Sequence, residues 1–339
     1  MRVIQFQSSH GRCLGVVRGD RVCDITLRQP ALTGTVAAFL TARRSGRRLD
    51  DLLSTLLGQY RDSELLDYNE LLAEGRVLPP VSEEAGTRLL VSGTGLTHLG
   101  SVQQRDAMHR QVEAAGPKTD SQKMLEIGMS GGQPAPGCRG SAPEWFYKGD
   151  GRILRGPGQA LEVPPFAPDG GEEPEIASVY AVDDSGVPCR LGFTQGNEWS
   201  DHATEKLNYL YLASSKLRVC AIGPELVTDL EFLDVRGRCR VLRSDGVIYD
   251  SGELLTGERN MCHSITNLED HHFKFPQQRL PGDLHVHFLG TSKLSYPHRE
   301  WQYQTGDLVE VSFEGLGAPL RNPVTRQEPS ASPIVVERG

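Results

Sequence analysis

Glu173 and Glu175 stand two residues apart at the head of an apolar, β-prone run covering residues 176–182. In a strand, positions i and i+2 share a face, so the two carboxylates lie side by side. They crowd one another unless a cation joins them. A third acid, Glu198, closes a second apolar segment in Gly196-Asn197-Glu198-Trp199. Three carboxylates completed by water suit a hard cation such as Mg²⁺ or Mn²⁺. Farther on, a strand over 284–289 would place His285 and His287 on one face. That is a geometry used by Zn or Cu ligands, and equally one produced by two hydrogen-bonded structural histidines.

The chain that must position these groups has 339 residues, enough for a small and a larger domain. It is 38% hydrophobic and 24% charged with a formal net charge of −8. This acidity argues against non-specific nucleic-acid binding and against anionic membranes. No apolar run is long enough for a membrane span. The N-terminal MRVIQFQSSHGR lacks a signal-peptide core and alternates like a strand, so a cytoplasmic protein is expected. Seven scattered cysteines without any Cys-x-x-Cys fit reduced thiols in that compartment.

Short strands are predicted within residues 1–28, then helices carrying Val36, Phe39 and Leu40, and Leu52, Leu53, Leu56 and Leu57. The basic run Arg43-Arg44-Ser45-Gly46-Arg47-Arg48 between them reads as a helix end and solvated loop. Pro79 and Pro80 stiffen a linker, which places a domain boundary near residue 84. A strand is predicted to begin at Leu89. Helices are expected over 101–115 and 121–127; residues 116–142 are rich in Gly, Pro and Ser, and a region about 98–142 reads as a mobile lid, with a disordered insert as the alternative.

The acids belong to a longer pattern. Glu173/Glu175 are followed by Gly192-Phe193-Thr194, Asn197-Glu198-Trp199-Ser200, Lys216 and Gly223-Pro224. This order resembles the fumarylacetoacetate hydrolase family, in which Glu-x-Glu precedes Gly-Tyr-Thr-x-x-Asn-Asp-x-Ser, a Lys and Gly-Pro. Glu198 stands where the family usually has Asp. The resemblance runs from residue 1 to about 325. It implies a mainly β, α+β architecture: a catalytic domain over 85–325, built as a mixed β-sandwich roll or distorted barrel, a small α+β N-terminal domain over 1–84, and a tail over 326–339. It also implies a homodimer, a 2-oxo acid substrate, and Mg²⁺ or Mn²⁺ held by Glu173, Glu175 and Glu198. Lys148, in Pro143-Glu144-Trp145-Phe146-Tyr147-Lys148, and Thr291 with Ser292, in Gly290-Thr291-Ser292, match substrate-contacting segments. The same comparison favours a non-metal role for His285 and His287.

Many hydrolytic relatives carry Asn-Tyr-x-x-His-x-x-Glu, whose His and Glu activate water. Here His98 falls on the His, but the Glu position is Ser101, and Asp106 or His109 are the groups near enough in sequence to substitute. The Arg and Gln that some relatives place after Asn-Asp are replaced by His202 and Glu205. Without the water-activating Glu, the resemblance points to the AraD1-like subgroup: dehydration of a 2-keto-3-deoxypentonate to 2,5-dioxopentanoate, with His98, Lys216 and Asp106 as proton-transfer groups. The alternative within the family is hydrolysis of an acylpyruvate or 2,4-diketo-3-deoxy sugar acid. The alternative outside catalysis is a relative that only binds metal or ligand. If the acids share one dication, Glu198→Gln is expected to weaken Mg²⁺ binding and to leave the metal-free fold little changed.

Overall fold

The computed structural model describes residues 1–58, 60, 64–83, 87–99, 118–244, 246–330 and 332–339. Its central strand, Pro174–Val182, is buried along all nine residues, which requires cover on both faces. Pro188–Asn197 lies antiparallel on one side of it and Leu284–Phe288 antiparallel on the other. Leu284–Phe288 pairs in parallel with Leu89–Gly95, which pairs antiparallel with Glu144–Asp150. In the other direction the sheet passes from Pro188–Asn197 through Leu226–Val227 to Arg2–Ser8, Gly11–Arg18 and Arg21–Asp24. It contains 13 strands in all; a second, six-stranded sheet is built around Val235–Arg243, Leu308–Phe313 and Leu320–Arg326.

The alternation of side chains decides what covers each face. Ala177, Val179 and Ala181, with Leu191, Val286 and Phe288, meet Val36, Phe39 and Leu53 from the helices Thr35–Arg44 and Leu49–Leu57. Ile176 and Phe193 point the other way, into a core with Cys239, Val241, Val309 and Val311 of the second sheet. The mainly β sandwich roll is therefore present. Among the described residues both sheets are open and no closed barrel is formed.

Residue 84 lies outside the described residues. On its N-terminal side, Val77–Leu78 pairs back onto Arg2–Ser8, and Arg2–Ser8 pairs with Leu226–Val227. The N-terminal strands thus continue the main sheet. The basic run after Thr35–Arg44 is used in ion pairs, Arg43 with Asp183 and Arg44 with Asp184. The expected helix over 121–127 is Asp120–Gly131, started by a Thr119/Gln122 capping box. The one expected over 101–115 falls outside the described residues, as do Ser101, Asp106 and His109.

Candidate active site

The ladder between Pro174–Val182 and Pro188–Asn197 sets Pro174 opposite Asn197. Just beyond it, the Glu198 N–H donates to Glu173 O at 2.9 Å, and the Glu173 N–H donates to Asn197 Oδ1 at 3.1 Å. This clamped backbone brings Glu173, Glu175 and Glu198 together: one carboxylate oxygen of each lies within 4.8 Å of the others, and all three residues are buried. Glu172, the same residue type one position earlier, is spent elsewhere. Its carboxylate accepts from Ser295 N at 2.5 Å, Ser295 Oγ at 2.9 Å and Tyr303 Oη at 2.6 Å.

Two lysines neutralise part of the charge. Lys216, ending the short helix Leu212–Lys216, places Nζ 2.5 Å from Glu173 Oε1 and 2.8 Å from Glu198 Oε2. Lys148, on Glu144–Asp150, places Nζ 2.8 Å from Glu198 Oε1 and donates to Trp199 O at 2.6 Å and Lys216 O at 2.9 Å. Those three acceptors match the three ammonium hydrogens of Lys148, so in this structure it braces Glu198. Among the described residues Glu175 has only the Gly290 N–H, at 2.7 Å from Oε2.

Burial, reinforced by Glu198 and Glu173, raises the Glu175 carboxyl well above the usual range. Burial acts on Glu173 in the same sense, but Lys216 and His202 outweigh it and hold that group well below its usual value. For Lys216, burial favours the neutral amine, and Glu173, Glu198 and Glu205 outweigh it and keep the ammonium. Three carboxylates against two ammonium groups leave one negative charge in excess, and Glu175 carries the strain of it. Glu173 Oε2 and Glu175 Oε1 have no hydrogen-bond partner among the described residues. With Glu198 they form an all-oxygen, net-anionic donor set that fits a hard dication.

His98 is buried between two hydroxyls, with Nδ1 2.9 Å from Thr97 Oγ1 and Nε2 3.0 Å from Thr256 Oγ1. Thr97 gives its own hydrogen to Leu289 O at 2.8 Å. Nδ1 is therefore the donor to Thr97, and Nε2 holds the lone pair. Burial lowers this imidazole to about 4, so it is neutral at pH 7. The same Leu289–Gly290 peptide accepts from Thr97 through its C=O and donates to Glu175 through its N–H. One peptide unit thus links the His98 side of the site to a carboxylate. Gly290 has φ +97°, and a Cβ there would fall 2.0 Å from Thr97 Oγ1, so only glycine fits.

Thr291 is buried and donates to Lys293 O at 3.0 Å, while Ser292 beside it is half-buried. His285 and His287 face away from the carboxylates, toward the helix Ile265–Phe273. His285 Nδ1 is 3.0 Å from His272 Nε2, and the His272 and His287 rings are 4.6 Å apart. The three carboxylates are the group of metal-ligating type among the described residues; these histidines do not form one.

No family model matches the chain. Over 188 residues it is 31% identical to a probable 2-keto-3-deoxyxylonate dehydratase of Haloferax volcanii; the match takes in 54% of this chain and 60% of that one. The chain thus spans about three fifths of the length of this curated relative. Among solved structures, the apo form of 2-keto-3-deoxy-D-arabinonate dehydratase superposes with TM-score 0.69 at 20% identity, covering 97% of this chain and 100% of that one. The same dehydratase complexed with magnesium and 2,5-dioxopentanoate gives 0.65 at 19% identity, with the same coverage. A 5-carboxymethyl-2-hydroxymuconate delta-isomerase from Mycobacterium smegmatis gives 0.54 at 20% identity, covering 96% and 99%. The fold of this chain is the fumarylacetoacetate hydrolase-like fold shared by those sugar-acid dehydratases and isomerases.

Proposed function

We propose that this chain is a Mg²⁺- or Mn²⁺-dependent dehydratase of a 2-keto-3-deoxypentonate, giving 2,5-dioxopentanoate. The observation that carries this reading is the buried group Glu173, Glu175 and Glu198, still one charge too negative after Lys148 and Lys216 are counted. These three residues would hold the cation. When bound, it would polarise the carboxylate and keto oxygens of a 2-oxo acid and acidify the C3 hydrogens. The names of the similar dehydratases support the substrate class.

The chain's own residues supply the rest. His98, neutral, takes a proton from C3 through Nε2, the nitrogen that accepts from Thr256 Oγ1 in this structure, with Asp106 as a second acceptor. Lys216 Nζ, kept as an ammonium, donates a proton as the C4 hydroxyl leaves as water. The resulting C3–C4 double bond shifts to C4–C5 as a proton moves from C5 to C3, and the C5 enol becomes the aldehyde. The net change is loss of one water. Lys148 keeps Glu198 in place, and Thr291 and Ser292 contact the substrate at the Gly290 turn. Phe146, whose ring lies 4.9 Å from Lys216 Nζ, keeps water from the ammonium.

We assign residues 1–84, 85–325 and 326–339 as N-terminal domain, catalytic domain and tail, with a lid within 98–142. The chain pairs as a homodimer in the cytoplasm. Leu207, Leu210, Tyr211, Leu217 and Phe166 are exposed apolar side chains that suit contact with a second copy, the last two lining a cavity of about 510 Å³ together with charged residues such as Asp150, Arg152 and Arg218. All seven cysteines are free, and among the described residues no helix is long and apolar enough to cross a membrane. Incubation with each 2-keto-3-deoxypentonate isomer, coupled to an NAD⁺-linked aldehyde dehydrogenase, tests the reaction. NAD⁺ reduction is expected. Pyruvate released from a 2,4-diketo acid, with no aldehyde from any pentonate, would replace the dehydratase by the hydrolase.

A further inference from the structure

His202 opens the short helix His202–Leu207, directly after Glu198-Trp199-Ser200-Asp201. Its Nε2 lies 3.0 Å from Glu173 Oε1, the oxygen that also takes Lys216 Nζ at 2.5 Å. An ionised carboxylate only accepts, so Nε2 carries the hydrogen. Nδ1 is buried with no partner among the described residues, and a ring turned over would set a C–H against Glu173. The ring is also wedged. A Cβ on Gly171 would fall 2.1 Å from Nδ1 and 2.5 Å from Cε1, and Tyr296 packs at 5.4 Å between ring centroids.

A single ammonium does not fix the plane of a carboxylate, because either oxygen can face it. Two donors converging on one oxygen do. We propose that His202 is a positioning residue: with Lys216 it pins Glu173 Oε1, so that Oε2 is the oxygen presented to the cation. The inference rests on reading Glu173, Glu175 and Glu198 as the metal site. It concerns a residue that replaces the Arg or Gln of the related sequences.

The test is Mg²⁺ titration calorimetry beside steady-state turnover for wild type, His202→Phe, His202→Gln and Gly171→Ala. His202→Phe keeps a ring but removes the donor, and Mg²⁺ should bind about tenfold or more weakly, with kcat at saturating Mg²⁺ within about threefold of wild type. His202→Gln restores an N–H donor and should recover most of that affinity. Gly171→Ala keeps the imidazole and displaces it, so it should behave like His202→Phe. It also carries the test should the phenylalanine variant fold poorly, as checked by melting of metal-free protein. Unchanged Mg²⁺ affinity in both His202→Phe and Gly171→Ala would overturn the proposal. So would a collapse of kcat at unchanged affinity, which would put His202 on the substrate. A wild-type protein that binds no Mg²⁺ would instead remove the metal-site reading itself.

Discussion

Glu198→Gln strikes the site where charge and packing meet. Glu198 is 1% exposed and pairs with Lys148 through Oε1 and Lys216 through Oε2, each at 2.8 Å. The amide still accepts from one lysine but turns its NH₂ against the other. Breaking a buried pair in this way costs about 3–5 kcal/mol, a large share of the roughly 5–15 kcal/mol that holds a domain together. The metal-free variant should therefore unfold at markedly lower urea, contrary to the expectation from sequence that this fold is little changed. The site's formal charge also rises from −1 to 0. A unit pair at 4 Å with an effective dielectric of 20 is worth about 4 kcal/mol and Mg²⁺ carries two charges, so it should bind at least roughly a thousandfold more weakly. Urea denaturation of chelator-treated protein and Mg²⁺ calorimetry read the two effects separately. An unaltered metal-free midpoint would refute the buried-pair argument, and unaltered affinity would refute the ligand assignment.

Lys216→Met removes one of the two positive charges that offset the carboxylates, the one beside Glu173 and Glu198. Calorimetry at pH 8 should show Mg²⁺ binding about tenfold or more tightly while turnover is lost, and weaker binding would contradict the arrangement. Gly290→Ala forces a Cβ against Thr97 Oγ1. It should lower kcat with a melting temperature still above that of Glu198→Gln, and full activity would detach the Leu289–Gly290 peptide from the reaction. Burial depresses His98 and His263 to about 4, and His272 and His285 to about 3, from a usual 6.5. The unfolded chain then takes up protons first as pH falls through 6.5, so the stability is complete above that pH and is lost toward 4. Each histidine contributes a loss of about 1.4 kcal/mol per pH unit in this window. Urea midpoints should fall steeply between pH 6.5 and 5, and a flat profile would contradict it.

Strand periodicity anticipated that Glu173 and Glu175 meet, although the strand begins at Pro174 and Glu173, just before it, is set by its backbone bonds to Glu198 and Asn197. Joining Glu198 to them needed the spacing of the whole 172–226 stretch, and the ladder from Pro174 to Asn197 supplies the contact. The role of Lys148 was not legible. Its sequence context suggested a substrate contact; its distances to Glu198, fifty residues away, and to two backbone carbonyls had no signal in the sequence. His202 was visible only as a residue at a variable position; the one available signal was that it follows Glu198 by four residues. Glu172 and Glu173 could not be told apart by type, and their fates diverge because Ser295 and Tyr303 claim the first. His285 and His287 were readable as a same-face pair, but their neighbour His272 comes from a helix across the sheet face.

Anomalous diffraction from crystals grown with Mn²⁺ tests the central claim most directly. The account predicts one strong peak among Glu173, Glu175 and Glu198, within about 2.0–2.3 Å of an oxygen from each, with Glu173 contributing Oε2 while Lys216 and His202 keep Oε1. No peak there, or one at His285 and His287 instead, would contradict it.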